Sequence, residues 1–375
     1  MKIGIDARLI NETGVGRYIR NLIAELSTID VQHHYIVYLP ETSCTTFVLP
    51  NNRWEKRLAT PRWHTLWEQV AMPLLFLKDK LDILHVPYFN VPILYPGKFI
   101  VTVHDLTILH FLTGKATTLW YPFYMLRRFG YWVALTCGIR RAVGVIVPSQ
   151  TTKEEIVEHF HIPASKIHVT YEGVDSQLTM HNAQCTIKIP IKNPYFLYVG
   201  NAYPHKNLEK LIIGFQLFLK KAKEHASYQL ILVGNEDFFY RKLKAFVKIK
   251  GLESSVQFFG YADDHTLYVL YTHAESLVFP SIMEGFGLPA LEALSVGTPV
   301  LCSDISVFHE ILKDFPLYFD QSDASAIAQS LELTKERKKV LLHRKKELDS
   351  HMKQFSWKLL GKETMKIYTS AIHIS

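Results

Sequence analysis

The chain has 375 residues, 48% hydrophobic and 21% charged, a composition that excludes a disordered protein and points to about two domains. A formal net charge of +7 and a pI near 9.0 favour a negatively charged partner: nucleic acid, anionic lipid or a phosphorylated substrate. The cations are not gathered into one arm and no nucleic-acid-binding signature occurs, so a nucleic-acid binder ranks last.

The chain opens Met1-Lys2 and passes directly into Ile3-Gly4-Ile5-Asp6, which reads as a strand and lacks the apolar run of a secretory signal. Further strands are predicted at 35–39, 83–85, 99–103, 144–147 and 167–170, with a helix over 17–26. The apolar run from Leu135 to Val147 is broken by Arg140 and Arg141, too short to span a bilayer. A polar stretch over 176–193 reads as a linker. A second series of strands follows at 195–199, 229–233, 256–259, 276–279 and 299–302. Strands alternating with amphipathic helices predict an α/β protein of two doubly wound domains, 1–175 and 194–354. The amphipathic segment 355–371 has no strand after it, so 355–375 reads as a helix that caps a domain or crosses back. Cys44, Cys137, Cys185 and Cys302 lack metal-ligand spacing and read as reduced thiols in an intracellular chain.

In open α/β sheets ligands bind beyond the carboxyl ends of the strands, and if two such domains face one another the cleft between them is the expected site. The strongest local motif is Glu284-Gly285-Phe286-Gly287-Leu288-Pro289-Ala290-Leu291-Glu292, directly after the predicted strand 276–279. Pro289 suits a first helical position, which puts Glu284 in the loop and Glu292 in the first helical turn, both turned to the cleft. A helix start presents unpaired N–H groups to an anion, and carboxylates beside it suit sugar and ribose hydroxyls. The bland alternative is an ordinary strand-to-helix turn with solvated acids. Gly14-Val15-Gly16 hints at a dinucleotide site, but the third glycine of that fingerprint would fall at Ile19, so a nicotinamide oxidoreductase is poorly supported. His104 and Asp105 end the predicted strand 99–103, where a sheet displays functional groups, although a histidine there is often a structural hydrogen-bonder. Asp263-Asp264 reads as a loop and helix N-cap rather than a metal site. From Arg53-Trp54 to Trp67-Glu68-Gln69, cations mix with tryptophans. That stretch suits either contact with an anionic lipid-linked acceptor or core packing beside a solvated face.

The segment from Glu284 to Glu292 resembles the E-x7-E motif of family 4 retaining glycosyltransferases. Other segments match in order: Thr13-Gly14-Val15-Gly16-Arg17-Tyr18, Thr102-Val103-His104-Asp105-Leu106, Val147-Pro148-Ser149, Tyr171-Glu172-Gly173-Val174-Asp175, Tyr198-Val199-Gly200 with His205-Lys206-Asn207, and Phe355-Ser356-Trp357. The wording is nearest to the mannosyltransferase-like branch that builds lipopolysaccharide and other surface glycans.

This resemblance implies a GT-B fold, with the acceptor bound mainly by the first domain and a nucleotide diphosphate sugar by the second, the segment 355–375 returning to the first. It implies that Glu284 holds the donor sugar, Glu292 the ribose, and the backbone at Phe286, Gly287 and Leu288 the sugar and phosphates. Lys206 would neutralise the diphosphate, with no metal and no cofactor beyond the donor, for which GDP-mannose is the first expectation and UDP-sugars the next. Gly14 and Gly16 would close a loop over the donor phosphates, and His104 would sit near the reacting carbon. Asp105 would orient its ring or meet the acceptor, beside Glu68 and Gln69 on the acceptor side. The chain departs from many relatives at the donor-side Asn201, where they carry a basic residue and the mannosyltransferase-like branch often a small polar one, and from that branch at His205, where it carries arginine. Charge stabilisation therefore leans on Lys206. The implied enzyme is a cytoplasmic hexosyltransferase with peripheral contact at the inner face of the plasma membrane. The alternatives are a sugar-nucleotide epimerase or hydrolase on the same fold, or a non-catalytic carbohydrate-binding protein.

Overall fold

The structure is a computed structural model that describes residues 1–63, 65–110, 121–174, 191 and 193–372. It divides into two compact units, Met1–Gly173 with Phe355–Ser375, and Val174–Gln354. The linker reading of 176–193 falls almost wholly outside the described residues, as do His64, Asp175 and Cys185; Cys44, Cys137 and Cys302 are unpaired thiols.

The first unit holds a seven-stranded parallel sheet in the order β3-β2-β1-β4-β5-β6-β7. Its strands are β1 (Lys2–Asp6), β2 (His34–Leu39), β3 (Trp54–Leu58), β4 (Ile83–Val86), β5 (Phe99–Thr102), β6 (Gly144–Val147) and β7 (Ile167–Val169). β4, β5 and β6 are buried along their whole length, as apolar strands covered on both faces must be. Trp54-Glu55-Lys56-Arg57-Leu58 was not predicted as a strand. It pairs with β2 as the edge of the sheet, and its charged residues face solvent or pair with Asp79. Trp54 is buried and stacks on Tyr35, ring centroids 4.1 Å apart, so the lipid-contact reading fails for this tryptophan.

The first helix, Gly14–Ile29, buries Tyr18, Ile19, Leu22, Ile23 and Leu26, the spacing of one apolar face. The C-terminal helix, Trp357–Ile372, packs on it within the same unit, with a Cβ at Gly361 falling 2.8 Å from Glu25 Cβ. Gly14 and Gly16 belong to the helix rather than to a loop ahead of it. The predicted start at residue 17 is therefore three residues late.

The second unit holds a six-stranded parallel sheet in the order β10-β9-β8-β11-β12-β13. Its strands are β8 (Tyr195–Val199), β9 (Gln229–Val233), β10 (Val256–Gly260), β11 (Ser276–Phe279), β12 (Val300–Ser303) and β13 (Leu317–Phe319). The edge strand β13, only three residues long, was not predicted. Asp263 caps the helix Asp264–His273 by accepting from the Thr266 amide at 2.8 Å, as the sequence suggested. Among the described residues no helix is long and apolar enough to cross a membrane.

Candidate active site

In the second unit, two loops that follow neighbouring strands are tied together at their backbones. After β8 comes a short 3₁₀ turn, Pro204–Lys206, closed by Asn207 in the left-handed region (φ 59°). Asn207 Nδ2 donates to the Pro280 carbonyl at 3.2 Å and to the Gln321 carbonyl at 2.8 Å. The Ile282 amide donates in return to the His205 carbonyl at 2.8 Å. These bonds bring Lys206 Nζ to 2.6 Å from Glu284 Oε1, with side-chain exposures of only 14% and 11%. The lysine also lies 5.8 Å from the centre of the Phe279 ring. Little water screens this pair, so its charges act strongly on anything bound beside them.

The helix Leu288–Ser295 begins just beyond. Its N-cap is Gly287, at φ 96°, and a Cβ there would both strain the backbone and meet Phe308 at 2.7 Å. Leu288 is the first helical residue and Pro289 the second, one position off the expected register. The Ala290 and Leu291 amides point back to the Gly287 carbonyl and Pro289 has no N–H, which leaves Leu288 as the donor of that turn facing away from the helix. Phe286 is buried.

Glu292, expected to turn to the cleft, is held much more deeply than Glu284. Four residues into a helix whose Ala290, Leu291, Ala293 and Leu294 are all buried, it is 2% exposed, and Tyr271 Oη donates to its Oε2 at 3.0 Å. Asn201 serves its own loop, its carbonyl accepting from Tyr198 Oη at 2.7 Å.

In the first unit, the residues beyond β1, β4 and β5 form two polar clusters. Arg8 forks onto Asp6 (2.8 and 2.6 Å) and reaches Glu68 Oε1 at 2.7 Å, its guanidinium 4.5 Å from the Trp63 ring centre. Asn90 Nδ2 donates to Glu68 Oε2 at 2.8 Å. Burial works against the Arg8 charge, yet the two carboxylates hold its pKa above the ordinary value; burial, with Asp6 adding to it, raises that of Glu68. Gln69 Oε1 accepts from the Ile93 amide at 2.8 Å. Glu68 is fully buried, so the acceptor-side role expected of it gives way to a structural one: it neutralises Arg8.

His104 sits in the second cluster. Its Nδ1 lies 3.2 Å from Glu172 Oε1 and its Nε2 3.1 Å from the Pro87 carbonyl. Asp105 does not orient this ring; its carboxylate accepts from the Thr107 amide at 2.8 Å and starts the short helix Thr107–His110. Sequence reasoning missed the part played by Glu172, although it stands in the matched segment Tyr171-Glu172-Gly173. Its position directly after β7, at a strand end, was the available signal.

The first helix starts beside these groups. Its first backbone bond runs from the Arg17 amide to the Thr13 carbonyl, so the amides of Gly14, Val15 and Gly16 have no partner inside the helix. Gly14 has open space around its missing side chain, whereas a Cβ at Gly16 would lie 2.6 Å from the Ile10 carbonyl oxygen. An exposed helix start of this kind suits an anion.

Two Rossmann-like parallel-sheet units, with polar groups gathered beyond their strand ends, define the GT-B class of transferases. Residues 13–178 match the model of Glycosyltransferase Family 4 and residues 185–351 that of Glycosyl transferases group 1; the chain belongs to this glycosyltransferase family. It is 29% identical over 277 residues to the O-antigen chain mannosyltransferase RfbU of Salmonella typhimurium, covering 74% of this chain and 71% of that protein. It is 31% identical over 236 residues to O-antigen chain mannosyltransferase B of Escherichia coli, covering 60% of each. Sucrose-phosphate synthase from Thermosynechococcus elongatus superposes with a TM-score of 0.80 over 100% of both chains at 19% identity, a likeness of fold.

Proposed function

We propose that this chain is a metal-independent, retaining mannosyltransferase of the bacterial cytoplasm, moving mannose from GDP-mannose to a glycan or lipid-linked acceptor in surface polysaccharide synthesis. The observation that carries the reading is the Lys206–Glu284 pair at 2.6 Å beside the helix that starts at Leu288. A cation held this firmly suits a leaving diphosphate, and the carboxylate beside it suits sugar hydroxyls. The mannose donor is supported by two O-antigen mannosyltransferases among the relatives.

In the proposed reaction the bond from the anomeric carbon to the diphosphate oxygen breaks through an oxocarbenium-like state. The acceptor oxygen bonds to the same face, and the acceptor proton passes to the departing phosphate oxygen. Lys206 stabilises the charge that develops on that phosphate, and His104 lines the face of the sugar. Catalysis on this account is positioning and charge stabilisation rather than covalent attack. Gly14 and Gly16 contribute backbone amides to the phosphates, Glu292 with Tyr271 the ribose contact, and Asp105 and Gln69 the acceptor side.

The test is transfer from a panel of GDP- and UDP-sugars to lipid-linked glycan acceptors, with the anomeric configuration of the product read by NMR. Retention with GDP-mannose and full activity in chelator are expected. Inversion, a requirement for a divalent ion, or turnover without any acceptor would each overturn the corresponding part of the reading, the last in favour of a hydrolase or epimerase.

A further inference from the structure

His104 has a polar partner at each ring nitrogen, Glu172 beside Nδ1 and the Pro87 carbonyl beside Nε2. The Tyr18 ring packs against the imidazole in a T-shaped contact, centroids 4.9 Å apart and planes at 84°, and so limits how the imidazole can tilt.

Tyr18 is itself held from behind. Its phenol lies 3.3 Å from Thr102 Oγ1, which lies 2.8 Å from His85 Nε2, and His85 Nδ1 lies 2.6 Å from the Tyr368 phenol. None of these four residues is more than 1% exposed, and they come from four elements: the first helix, β5, β4 and the C-terminal helix. The start of the C-terminal helix also packs next to Glu172, the partner of His104 Nδ1. Gly173, next to Glu172, is packed so closely that a Cβ there would fall 2.1 Å from the Trp357 nitrogen.

We infer that Tyr18, Thr102, His85 and Tyr368 are positioning residues for His104, through which the C-terminal helix sets the tilt of its imidazole. The inference rests on the active-site reading of His104 above. The polarity of the path is constrained as well. Burial, reinforced by the nearby His104, lowers the pKa of His85 to about 3, so its ring is neutral and carries one N–H and one lone pair. Both of its contacts are then satisfied only when Tyr368 and Thr102 take opposite donor and acceptor roles. Removing either hydroxyl leaves a buried partner unmatched and frees the ring behind Tyr18.

The experiment is a double-mutant cycle on the full chain, with Tyr368→Phe and Tyr18→Phe each made alone and combined with His104→Ala. Each phenylalanine variant should fold and lower kcat about tenfold, with little change in the KM for the donor. In the His104→Ala background neither should lower kcat further. A tenfold loss that persists without His104 would show a general structural role and overturn the inference, as would undiminished kcat in both phenylalanine variants. If His104→Ala alone leaves transfer intact, the active-site reading itself falls and takes this inference with it. A large but measurable loss in His104→Ala with additive phenylalanine effects removes only the inference.

Discussion

Replacing His85 by glutamine tests the buried path through stability rather than activity. The amide keeps a donor and an acceptor but cannot gain a proton. In the folded protein His85 has its pKa lowered to about 3, first by burial and then by His104, against an ordinary value of 6.5. The sign follows from which state takes up the proton. Above pH 6.5 both states are neutral and His85 imposes no penalty. As pH falls through 6.5 the unfolded chain binds a proton that the folded one refuses, so stability is lost progressively until the folded value is reached. Between pH 7 and pH 5 the loss is about 2 kcal/mol for this single group, from about 1.4 kcal/mol per pH unit below 6.5. For a unit of this size it lowers the midpoint by roughly 4 to 8 °C. Every other titratable group is common to both proteins, so the quantity to measure is the difference between the wild-type and His85→Gln midpoints at pH 7 and pH 5. The variant should be the less stable at pH 7 and should lose less on acidification. Parallel curves would refute the claim that His85 is held neutral.

The remaining predictions concern the two clusters and the first helix. Arg8→Met strands Asp6 and Glu68 without their shared cation, both fully buried, and should cost about 3–5 kcal/mol in denaturant unfolding. Gly16→Val drives a side chain against the Ile10 carbonyl oxygen and should destabilise by about 1–3 kcal/mol, while Gly14→Ala, facing open space, should leave the midpoint unchanged or slightly raised. Lys206→Ala should lower kcat by roughly 10²–10³ with the circular dichroism spectrum preserved, and Lys206→Arg should recover part of it. Unimpaired turnover in Lys206→Ala would remove the lysine from the mechanism.

The central strands were legible because parallel strands covered on both faces are written as short apolar runs, as in Gly144-Val145-Ile146-Val147. The edges were not. Trp54 to Leu58 carries Glu55, Lys56 and Arg57, a polar pattern that only pairing with β2 turns into a strand, and β13 is too short to show a period. Motif order singled out the candidate residues but not their partners. Glu284 and Lys206 stand far apart in sequence, and their pairing depends on Asn207 bonding across to Pro280. Glu292 was expected to turn to the cleft; its buried helix neighbours and the Tyr271 hydroxyl, which hold it at 2% exposure, come from packing that the motif does not spell out. Asp105 was the nearest acid to His104 in sequence, yet Glu172, 68 residues away, is the one that reaches it.

The C-terminal helix has a consequence for how the molecule is made. The second unit is one uninterrupted stretch, Val174–Gln354, whereas the first is assembled from Met1–Gly173 and a helix translated roughly 180 residues later. On the ribosome the unit begun first is therefore completed last. Until the C-terminal helix emerges, His85 Nδ1 has no phenol beside it and the first helix lacks the neighbour that packs against Glu25 and Ile29. A fragment ending at residue 173 would remain in that unfinished condition, while 174–354 could be excised as a contiguous piece. Attempts to divide the protein should accordingly cut around the second unit and rejoin the first, rather than cut once between them.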